Sequence, residues 1–306
     1  MTTRPKTILV LGGGASNERE VSQRSSSNVA EALKAAGYHV TTADPAAPGF
    51  DLAHLSKSVD AVFPILHGAG GEDGVIQTNL EHLNLPYLGS DPAACKITFN
   101  KVRYKELLAE NGHLTPNWEV VNQANFEASD LTSESYVLKP THGGSSLDTF
   151  IVHNPRHQLI DAGAYAGAFD RYGKMLVEEL IEGQEITVGV LDDTALPVIL
   201  IIPPSGKEFD YENKYNGKSQ EITDPPQLPP DIQAKAKQLA AEIHQLTGCR
   251  HFSRTDMIVT PSGSIYTLET NTIPGLTKQS LFPKAAAAAG YDLPKLMDHF
   301  ARAVIS

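Results

Sequence analysis

The residues best placed to do chemistry lie in a predicted β-hairpin. Apolar and polar residues alternate on both sides of a Pro-Ser-Gly-Ser segment at 261–264, which predicts two strands joined by a turn. If Thr260 lies opposite Ile265, Asp256 lies opposite Glu269. Paired side chains have Cβ atoms about 5 Å apart, where two carboxylates repel one another. A cation bound between them would relieve that repulsion.

Asn271 extends this set, because it follows Glu269 by two residues and so points to the same face of its strand. Two carboxylates and an amide oxygen suit a hard cation such as Mg²⁺, which usually shares its ligands with substrate phosphates. An exposed hairpin with its charges in water is the alternative, but Pro274-Gly275 follows directly and is typical of a binding loop. We therefore predict a nucleotide-dependent enzyme whose metal ligands are Asp256, Glu269 and Asn271.

Composition narrows the class of protein. The 306 residues are enough for two or three domains with a sizeable core. A formal net charge of −11 argues against nucleic-acid binding, which depends on basic surfaces. Cys95 and Cys249 are too far apart for a zinc motif, and no apolar run approaches the roughly 20 residues of a membrane span. Since the N-terminus does not resemble a signal peptide, we expect a cytoplasmic enzyme without a nucleic-acid or membrane partner.

The elements that must position these residues change character along the chain. Strands at 8–11, 38–42 and 61–66 alternate with helices at 19–36 and from residue 72, which predicts a parallel sheet with ligands at its strand ends. In the second helix one buried stripe is predicted, formed by Val75, Ile76, Leu80 and Leu83. The later part is rich in strands, at 136–139, 148–152, 175–180 and 185–191. The predicted fold class is α/β, with α+β character in the C-terminal half.

A long segment at 203–230 has little periodicity and carries prolines at both ends. Loops of this length are usually functional lids or disordered segments. A lid would protect a water-sensitive intermediate during chemistry, whereas a passive surface loop would not respond to ligand. After this segment we predict a helix that is capped by Asp231 and ends at Thr247.

Two segments could bind phosphate. The glycines at 12–14 suggest a dinucleotide fold, but Asn17 stands where the GxGxxG pattern needs its last glycine, which disfavours a dinucleotide-dependent oxidoreductase. In the run 139–146 (KPTHGGSS), Lys139 ends a strand and a glycine-serine loop follows, offering backbone N–H groups and hydroxyls to phosphate oxygens. An ordinary hairpin turn explains that run equally well by itself, and the predicted metal hairpin favours the phosphate loop.

The order of motifs resembles the D-alanine–D-alanine ligases of the ATP-grasp superfamily. The run 12–22 (GGGASNEREVS) is similar to the opening motif of that family, and the run 67–77 (HGAGGEDGVIQ) is similar to its second motif. Lys101, the Lys139 loop, 178–185, 210–215, the hairpin and Ser280-Leu281 then follow in the family order. The likeness covers almost the whole chain. It implies an N-terminal substrate-binding domain at 1–95, a central ATP-grasp subdomain at 96–182, and a C-terminal subdomain at 183–306 with the metal site and lid.

The resemblance also implies a role for each matched residue, with ATP as co-substrate and two Mg²⁺ (or Mn²⁺) ions. ATP would contact Lys101, Lys139, Glu178, Leu180, Ile181, Glu185 and Lys214. The D-alanine substrates would contact Glu18, His67, Ser280 and Leu281. Catalysis would depend on Glu18, Ser145, Tyr215, Arg254 and Gly275. The ions would bind Asp256, Glu269 and Asn271.

The implied reaction is the ligation of two D-alanines through a D-alanyl phosphate, for peptidoglycan synthesis, by an enzyme that the family suggests is a homodimer. A D-alanine–D-lactate ligase is the nearest alternative, although Lys214-Tyr215 resembles the dipeptide-forming branch. One departure concerns the phosphate loop, where Asp148 stands at a position at which the family pattern has glycine. A carboxylate close to ATP phosphates is unfavourable, so we expect Asp148 to point away from them or the loop to follow a different path.

Overall fold

The structure, a computed structural model, describes residues 6–144, 148–155, 162–204 and 219–305. Three residues with predicted roles, Ser145, Lys214 and Tyr215, lie outside these ranges, as does half of the predicted lid, 205–218. Within the described ranges, no helix is long and apolar enough to cross a membrane.

The N-terminal part is the predicted α/β unit. Its strands are fully parallel in the order β2-β1-β3, and the buried sequence of the central strand explains why it lies in the middle. The strands are β1 (Thr7–Leu11), β2 (His39–Ala43) and β3 (Ala61–Pro64). The helices are α1 (Arg19–Ala35), α2 (Leu52–Leu55), α3 (Val75–His82), α4 (Pro92–Phe99) and α5 (Lys101–Glu110).

The predicted stripe on α3 is wrong at one residue. Ile76 and Leu80 are buried, but Val75 is 55% exposed. The helix begins only at Val75, after a left-handed Gly74 with a φ of 88°, so Val75 belongs to the first turn and points outward. Residues 72–74 form the turn before the helix rather than its start.

Helix α5 begins directly after Asn100, whose side-chain oxygen accepts from the backbone N–H groups of Val102 and Arg103, each at 3.1 Å. Asparagine is a favoured residue at this position because its oxygen satisfies N–H groups that lack a partner within the helix. This cap places Lys101 at the first position of α5. The backbone N–H of Lys101 donates to Thr141 O at 2.9 Å, which fixes the start of the helix beside Thr141.

The rest of the chain forms two antiparallel sheets. The central sheet has the order β4-β7-β5-β6, from β4 (Trp118–Val121), β5 (Tyr136–Pro140), β6 (Phe150–Val152) and β7 (Met175–Glu179). Helix α6 (Ala162–Tyr172) precedes β7. The C-terminal sheet has the order β11-β10-β8-β12-β13, and β9 pairs with β8. Its strands are β8 (Gln184–Leu191), β9 (Thr194–Ala195), β10 (Ile199–Ile202), β11 (Gln220–Thr223), β12 (Phe252–Val259) and β13 (Ile265–Asn271).

Three helices complete the C-terminal part: α7 (Pro230–Leu246), α8 (Leu281–Ala288) and α9 (Leu293–Ile305). The residue before α7 is Pro229, so Asp231 lies inside the first turn and the predicted cap at Asp231 is wrong. Helices α8 and α9 share one hydrophobic core with β1, β3 and α1, in which Phe63, Phe282 and Phe300 are fully buried or nearly so. The N-terminal sheet and the last helices therefore form one packed unit, and the proposed domain boundaries at 96 and 183 stay a prediction.

The predicted hairpin is present as β12 and β13, with one difference in register. Val259, not Thr260, lies opposite Ile265, and this offset of one residue would place Asp256 opposite Leu268. A β-bulge beside Asp256 and Met257 absorbs the extra residue, so Asp256 still pairs with Glu269. The predicted pair of carboxylates is confirmed, although the predicted turn register is wrong.

Candidate active site

A deep cleft of about 850 Å³ is lined by residues of the N-terminal part, the central sheet and the C-terminal sheet. Eight of the residues to which we assigned ATP or metal contacts line it: Lys101, Lys139, Glu178, Leu180, Ile181, Glu185, Asp256 and Glu269. Glu18 also lines this cleft. The described residues expected to bind the nucleotide or its metal ions, from four separate stretches of sequence, therefore meet in one place.

One wall of the cleft carries a buried cluster of two lysines and one glutamate, which we call the lysine triad (Lys105, Lys139 and Glu178). Lys139 Nζ lies 2.7 Å from Glu178 Oε2, and Lys105 Nζ lies 2.8 Å from Glu178 Oε1. Burial raises the pKa of Glu178, but the two ammonium groups outweigh burial, so the net pKa of this carboxyl lies below its usual range. Glu178 therefore stays ionised and holds both lysines.

Lys101 connects this wall to the hairpin. Its Nζ donates to Gly143 O at 2.8 Å, in the predicted phosphate loop, and to Glu269 Oε2 at 3.0 Å. Burial alone would lower the pKa of Lys101, but the adjacent Glu269 carboxylate raises it above its ordinary value. Lys101 is therefore a fixed positive charge between the phosphate loop and one of the predicted metal ligands.

The hairpin brings the three predicted metal ligands together. Asp256 Oδ1 accepts from Thr187 Oγ1 at 2.6 Å, and Asn271 Nδ2 lies 3.4 Å from Asp256 Oδ2. Arg254 contacts both oxygens of the same carboxylate, with Nε at 2.9 Å and Nη2 at 2.8 Å. Such two-pronged pairs are among the stronger ion pairs in proteins. Asp256 is therefore fully engaged by protein groups in the ligand-free chain.

The donor set fits a hard divalent cation. Asp256 and Glu269 face each other across the hairpin, and Asn271 turns its amide toward Asp256, so rotation of that amide would present its oxygen. Arg254 and Lys101 now neutralise these carboxylates, as a cation would. Among the described residues, no cluster of three or more His, Cys, Asp or Glu side chains could hold a metal ion, so Asn271 is essential to this assignment.

A second acidic group lies where the N-terminal part meets the phosphate loop. Glu18, just before α1, is 8% exposed, and a Cβ placed on Gly144 would lie 3.2 Å from its Oε1. Glu72 Oε2 accepts from the backbone N–H of Gly68 at 2.8 Å. Burial, with repulsion from Glu18, raises the pKa of Glu72 to about 8. Glu18 is thus placed to receive a cationic group at one end of the cleft.

His67 follows β3 and is buried, with Nε2 3.1 Å from Ser25 Oγ. Burial, together with the nearby positive charge of Arg254, lowers its pKa to about 4. The imidazole is therefore neutral near pH 7 and acts as a polar group rather than as a charge. His67 does not line the large cleft itself, so its predicted contact with D-alanine stays a prediction.

The residues predicted to bind the second D-alanine lie at the start of helix α8. Ser280 precedes this helix, and its Oγ lies 2.8 Å from Thr277 Oγ1, while Leu281 is buried in the shared core. A Cβ on Gly275 would lie only 2.8 Å from Ser280 Oγ, so the backbone at Gly275 needs a residue without a side chain. This close approach brings the Gly275 backbone to the start of a helix, where N–H groups can receive a carboxylate.

The segment after β7 carries Leu180 and Ile181, which we assigned to ATP binding, and both line the cleft. The backbone N–H of Leu180 donates to Ser135 O at 3.0 Å, so this group is already used within the central sheet. The Leu180 carbonyl and Ile181 are the remaining groups of these two residues that can contact a base. Glu185, at the start of β8, also lines the cleft. The roles in ATP binding stay predictions.

Asp148 behaves as expected for a residue that must avoid phosphate. Its backbone is left-handed, with a φ of 51°, and its carboxylate contacts Arg171 and accepts from Tyr172 Oη at 2.9 Å. Asp148 does not line the cleft, whereas Tyr172 does. The carboxylate thus points toward the end of α6, where Arg171 balances its charge.

Sequence reasoning missed three residues of the site: Glu72, Lys105 and Thr187. Glu72 belongs to the motif at 67–77, but its spacing does not show that it lies near Glu18 and Glu269. Thr187 lies opposite Asp256 on the neighbouring strand β8, a pairing that only the sheet order reveals. Lys105 follows Lys101 by one helical turn, and this spacing on one helix face was a usable signal.

Two antiparallel sheets around a cleft, with a buried lysine and glutamate on one sheet and paired carboxylates on the other, are typical of an ATP-grasp ligase. Residues 43–90 match the family model described as D-ala D-ala ligase N-terminus, and residues 107–302 match the one described as D-ala D-ala ligase C-terminus. The chain belongs to the D-alanine–D-alanine ligase family.

Individual relatives agree with this assignment. A D-alanine–D-alanine ligase from Syntrophobacter fumaroxidans is 42% identical, with 97% of each chain covered. One from Nitratidesulfovibrio vulgaris is 41% identical, with 95% of each chain covered. The crystal structure of a Bacillus anthracis D-alanine–D-alanine ligase complexed with ATP is 29% identical and covers 97% of this chain and 96% of that chain, with a TM-score of 0.81. The predicted family and fold class are confirmed.

Proposed function

We propose that the cleft joins two molecules of D-alanine to D-alanyl-D-alanine, for peptidoglycan synthesis, with ATP converted to ADP and phosphate. The observation that carries this proposal is the meeting of three chemistries in one cleft. The lysine triad and Lys101 offer positive charge to phosphates, the Asp256–Glu269 pair offers oxygen ligands to a cation, and Glu18 offers a carboxylate to an ammonium group.

The first step activates the carboxylate of one D-alanine by transfer of the γ-phosphoryl group of ATP, which gives D-alanyl phosphate and ADP. Phosphoryl transfer depends on positioning and on neutralising charge more than on covalent help from the protein. Lys101 and Lys139 supply that charge from two sides, and Glu18 holds the substrate ammonium. Two Mg²⁺ ions bound by Asp256, Glu269 and Asn271 would supply further charge neutralisation at the phosphates.

The second step is attack by the amine of the other D-alanine on the acyl carbon, after which phosphate leaves. The tetrahedral intermediate carries an oxyanion, which needs fixed N–H donors. Arg254 and the backbone N–H of Gly275 are our candidates for these donors. Ser280 and the start of α8 receive the carboxylate of the attacking D-alanine. Ser145, Lys214 and Tyr215 stay assigned from the resemblance only.

Three finer statements belong to the same proposal. The ions are Mg²⁺ or Mn²⁺, since both prefer oxygen ligands. The enzyme works in the cytoplasm, in keeping with two buried free cysteines and no disulfide among the described residues. It assembles as a homodimer, which the family resemblance suggests.

The test is product analysis after incubation of the protein with ATP, Mg²⁺ and D-alanine, alone or mixed with D-lactate. We expect D-alanyl-D-alanine and equimolar ADP, and no ADP release with L-alanine. The exposed Lys235→Met variant is the matched control, because Lys235 lies on α7 away from the cleft. D-alanyl-D-lactate as the main product would favour the alternative ligase, and ATP-independent product would contradict the proposal.

A further inference from the structure

We propose that Lys105, a lysine outside the cleft, is a positioning residue for ATP: it holds Glu178 in place and leaves a net positive charge at Lys139 for the phosphates. This inference rests on the proposed function, because it gives Lys105 a part in binding ATP. Lys105 itself does not line the cleft, whereas Glu178 and Lys139 both do.

The Lys105 side chain is 0% exposed, an unusual state for a lysine. Its ammonium group is fully used: it pairs with Glu178 Oε1 at 2.8 Å, donates to Thr115 Oγ1 at 2.6 Å, and lies 5.3 Å from the centre of the Trp118 ring. Burying a charge is costly even when it is well paired, and an apolar side chain fills such a position at lower cost. A role beyond packing accounts for the charge.

The charges of the lysine triad indicate that role. Lys105 and Lys139 share the single carboxylate of Glu178, one on each oxygen, so the triad carries one net positive charge. Without Lys105, Glu178 and Lys139 would neutralise each other, and the cleft wall would lose its attraction for phosphate. Lys139 is the lysine of the triad that lines the cleft, so the excess charge is presented to ATP.

Helix α5 gives Lys105 its place. Lys101 and Lys105 lie one turn apart on the same face of this helix. Lys101 reaches Glu269 on the C-terminal sheet, and Lys105 reaches Glu178 on the central sheet. A single rigid helix thus sets the positions of carboxylates on both walls of the cleft.

The experiment is a double-mutant cycle on ATP binding. Lys105→Met, Glu178→Gln and the double variant are compared for the KM of ATP, the KM of D-alanine, kcat and thermal unfolding. We expect Lys105→Met alone to raise the KM of ATP about tenfold, the usual cost of losing a hydrogen-bonded charge, with the KM of D-alanine unchanged. In the Glu178→Gln background the same change should alter the KM of ATP by less than about twofold.

Leu108→Ala is the matched structural control, since Leu108 is fully buried on the same helix and packs in a hydrophobic cluster with Tyr104 and Ile243. It should lower the unfolding temperature and leave the KM of ATP unchanged. Equal effects of Lys105→Met in both backgrounds, or the same rise in KM from Leu108→Ala, would overturn the positioning role. If the unmodified protein forms no dipeptide, the proposed function fails instead.

A second measurement needs no variant. Lys105 faces Glu178 and Glu179 on β7 and Lys139 on β5, and burial lowers its pKa to about 8 although Glu178 opposes this. Lys105 is therefore charged below pH 8 and loses its proton above it. We expect the affinity for a non-hydrolysable ATP analogue to weaken several-fold between pH 7 and pH 9. Constant affinity over this interval would contradict the inference, whether or not Lys105→Met folds.

Discussion

The two walls of the cleft differ in the balance of their charges. In the lysine triad, two cations share one anion, and the lysine that lines the cleft is Lys139. In the hairpin, Asp256 pairs with Arg254 and Glu269 pairs with Lys101. The central sheet therefore carries a net positive charge that suits an anion, whereas a cation bound at the hairpin would share its carboxylates with these two side chains.

Because of this difference, we expect substitutions in the hairpin to have the largest effect on activity. Glu269→Gln keeps the shape of the side chain but removes the charge that attracts both Lys101 and a cation. We expect the fold to remain intact and ADP release with D-alanine to fall by about 100-fold or more, because the charge that positions metal and phosphates is reduced. Near-normal ADP release at saturating ATP and modest Mg²⁺ would show that the hairpin is not the metal site.

An acid titration sharpens the comparison, because the triad and the two buried neutral histidines respond to pH in different ranges. Burial lowers the pKa values of His67 and His244 to about 4 each. Because the unfolded chain takes up these protons near pH 6.5 and the folded chain only near pH 4, stability is lost as pH falls between those values. The pKa of Glu178 is lowered below 4.5, so the triad contributes to acid unfolding only below that pH.

The measurement is urea unfolding at several pH values between 7 and 4. We expect the free energy of unfolding to fall by about a few kcal/mol before the triad titrates, because the loss from two buried histidines exceeds the gain from Glu72, whose raised pKa stabilises the folded chain as pH falls. His67→Gln should flatten part of this slope, and the same change at the exposed His54 should not. A steep loss confined to pH values below 4.5 would instead assign acid sensitivity to the carboxylates.

The smallest effect is expected at Asp148, on the edge of the triad's sheet. Its left-handed backbone costs a residue with a side chain about 1 kcal/mol, while its contact with the exposed Arg171 contributes little to stability because water screens it. Asp148→Gly should therefore change stability and the KM of ATP only slightly, by less than about threefold for KM. Asp148→Asn is the control that removes the charge but keeps a residue tolerant of this backbone. A rise in the KM of ATP well beyond threefold for both variants would mean that Asp148 acts directly in binding.

Much of the site could be predicted from the sequence because its residues lie close together along single strands. Alternation on two adjacent strands grouped Asp256, Glu269 and Asn271, although the pairing of Asp256 with Glu269 also depends on a bulge that alternation does not reveal. The contacts that cross between sheets could not be predicted this way. Thr187 reaches Asp256 only because β8 lies beside β12, and Lys105 reaches Glu178 only because α5 packs on the central sheet.

The helices and strands could likewise be predicted only where the sequence pattern that forms them is local. Alternating strands and helices predicted the parallel N-terminal sheet, since that periodicity is local. The stripe on α3 was wrong at Val75 because the helix start depends on the left-handed Gly74, which periodicity does not reveal. The packing of α9 against α1 joins the two ends of the chain, including a hydrogen bond from Tyr38 Oη to Asp298 Oδ1 at 2.8 Å. No local pattern predicts such a contact.

The bulge in the hairpin has a consequence for how this stretch can tolerate insertions and deletions. Asp256 is fixed by its pairing with Thr187 on β8, and the extra residue at Leu268 lies between this region and the turn. Changes of length within 260–264 should therefore be accepted, because they alter only the tip of the hairpin. Loss of the bulge residue Leu268 should also be accepted, because Met257–Thr267 and Asp256–Glu269 would then be consecutive regular pairs. Loss of Thr270 would instead turn Asn271 to the opposite face of β13, away from the two carboxylates. Gaps at 268 and 270, only two positions apart in an alignment, should thus have very different consequences for the enzyme.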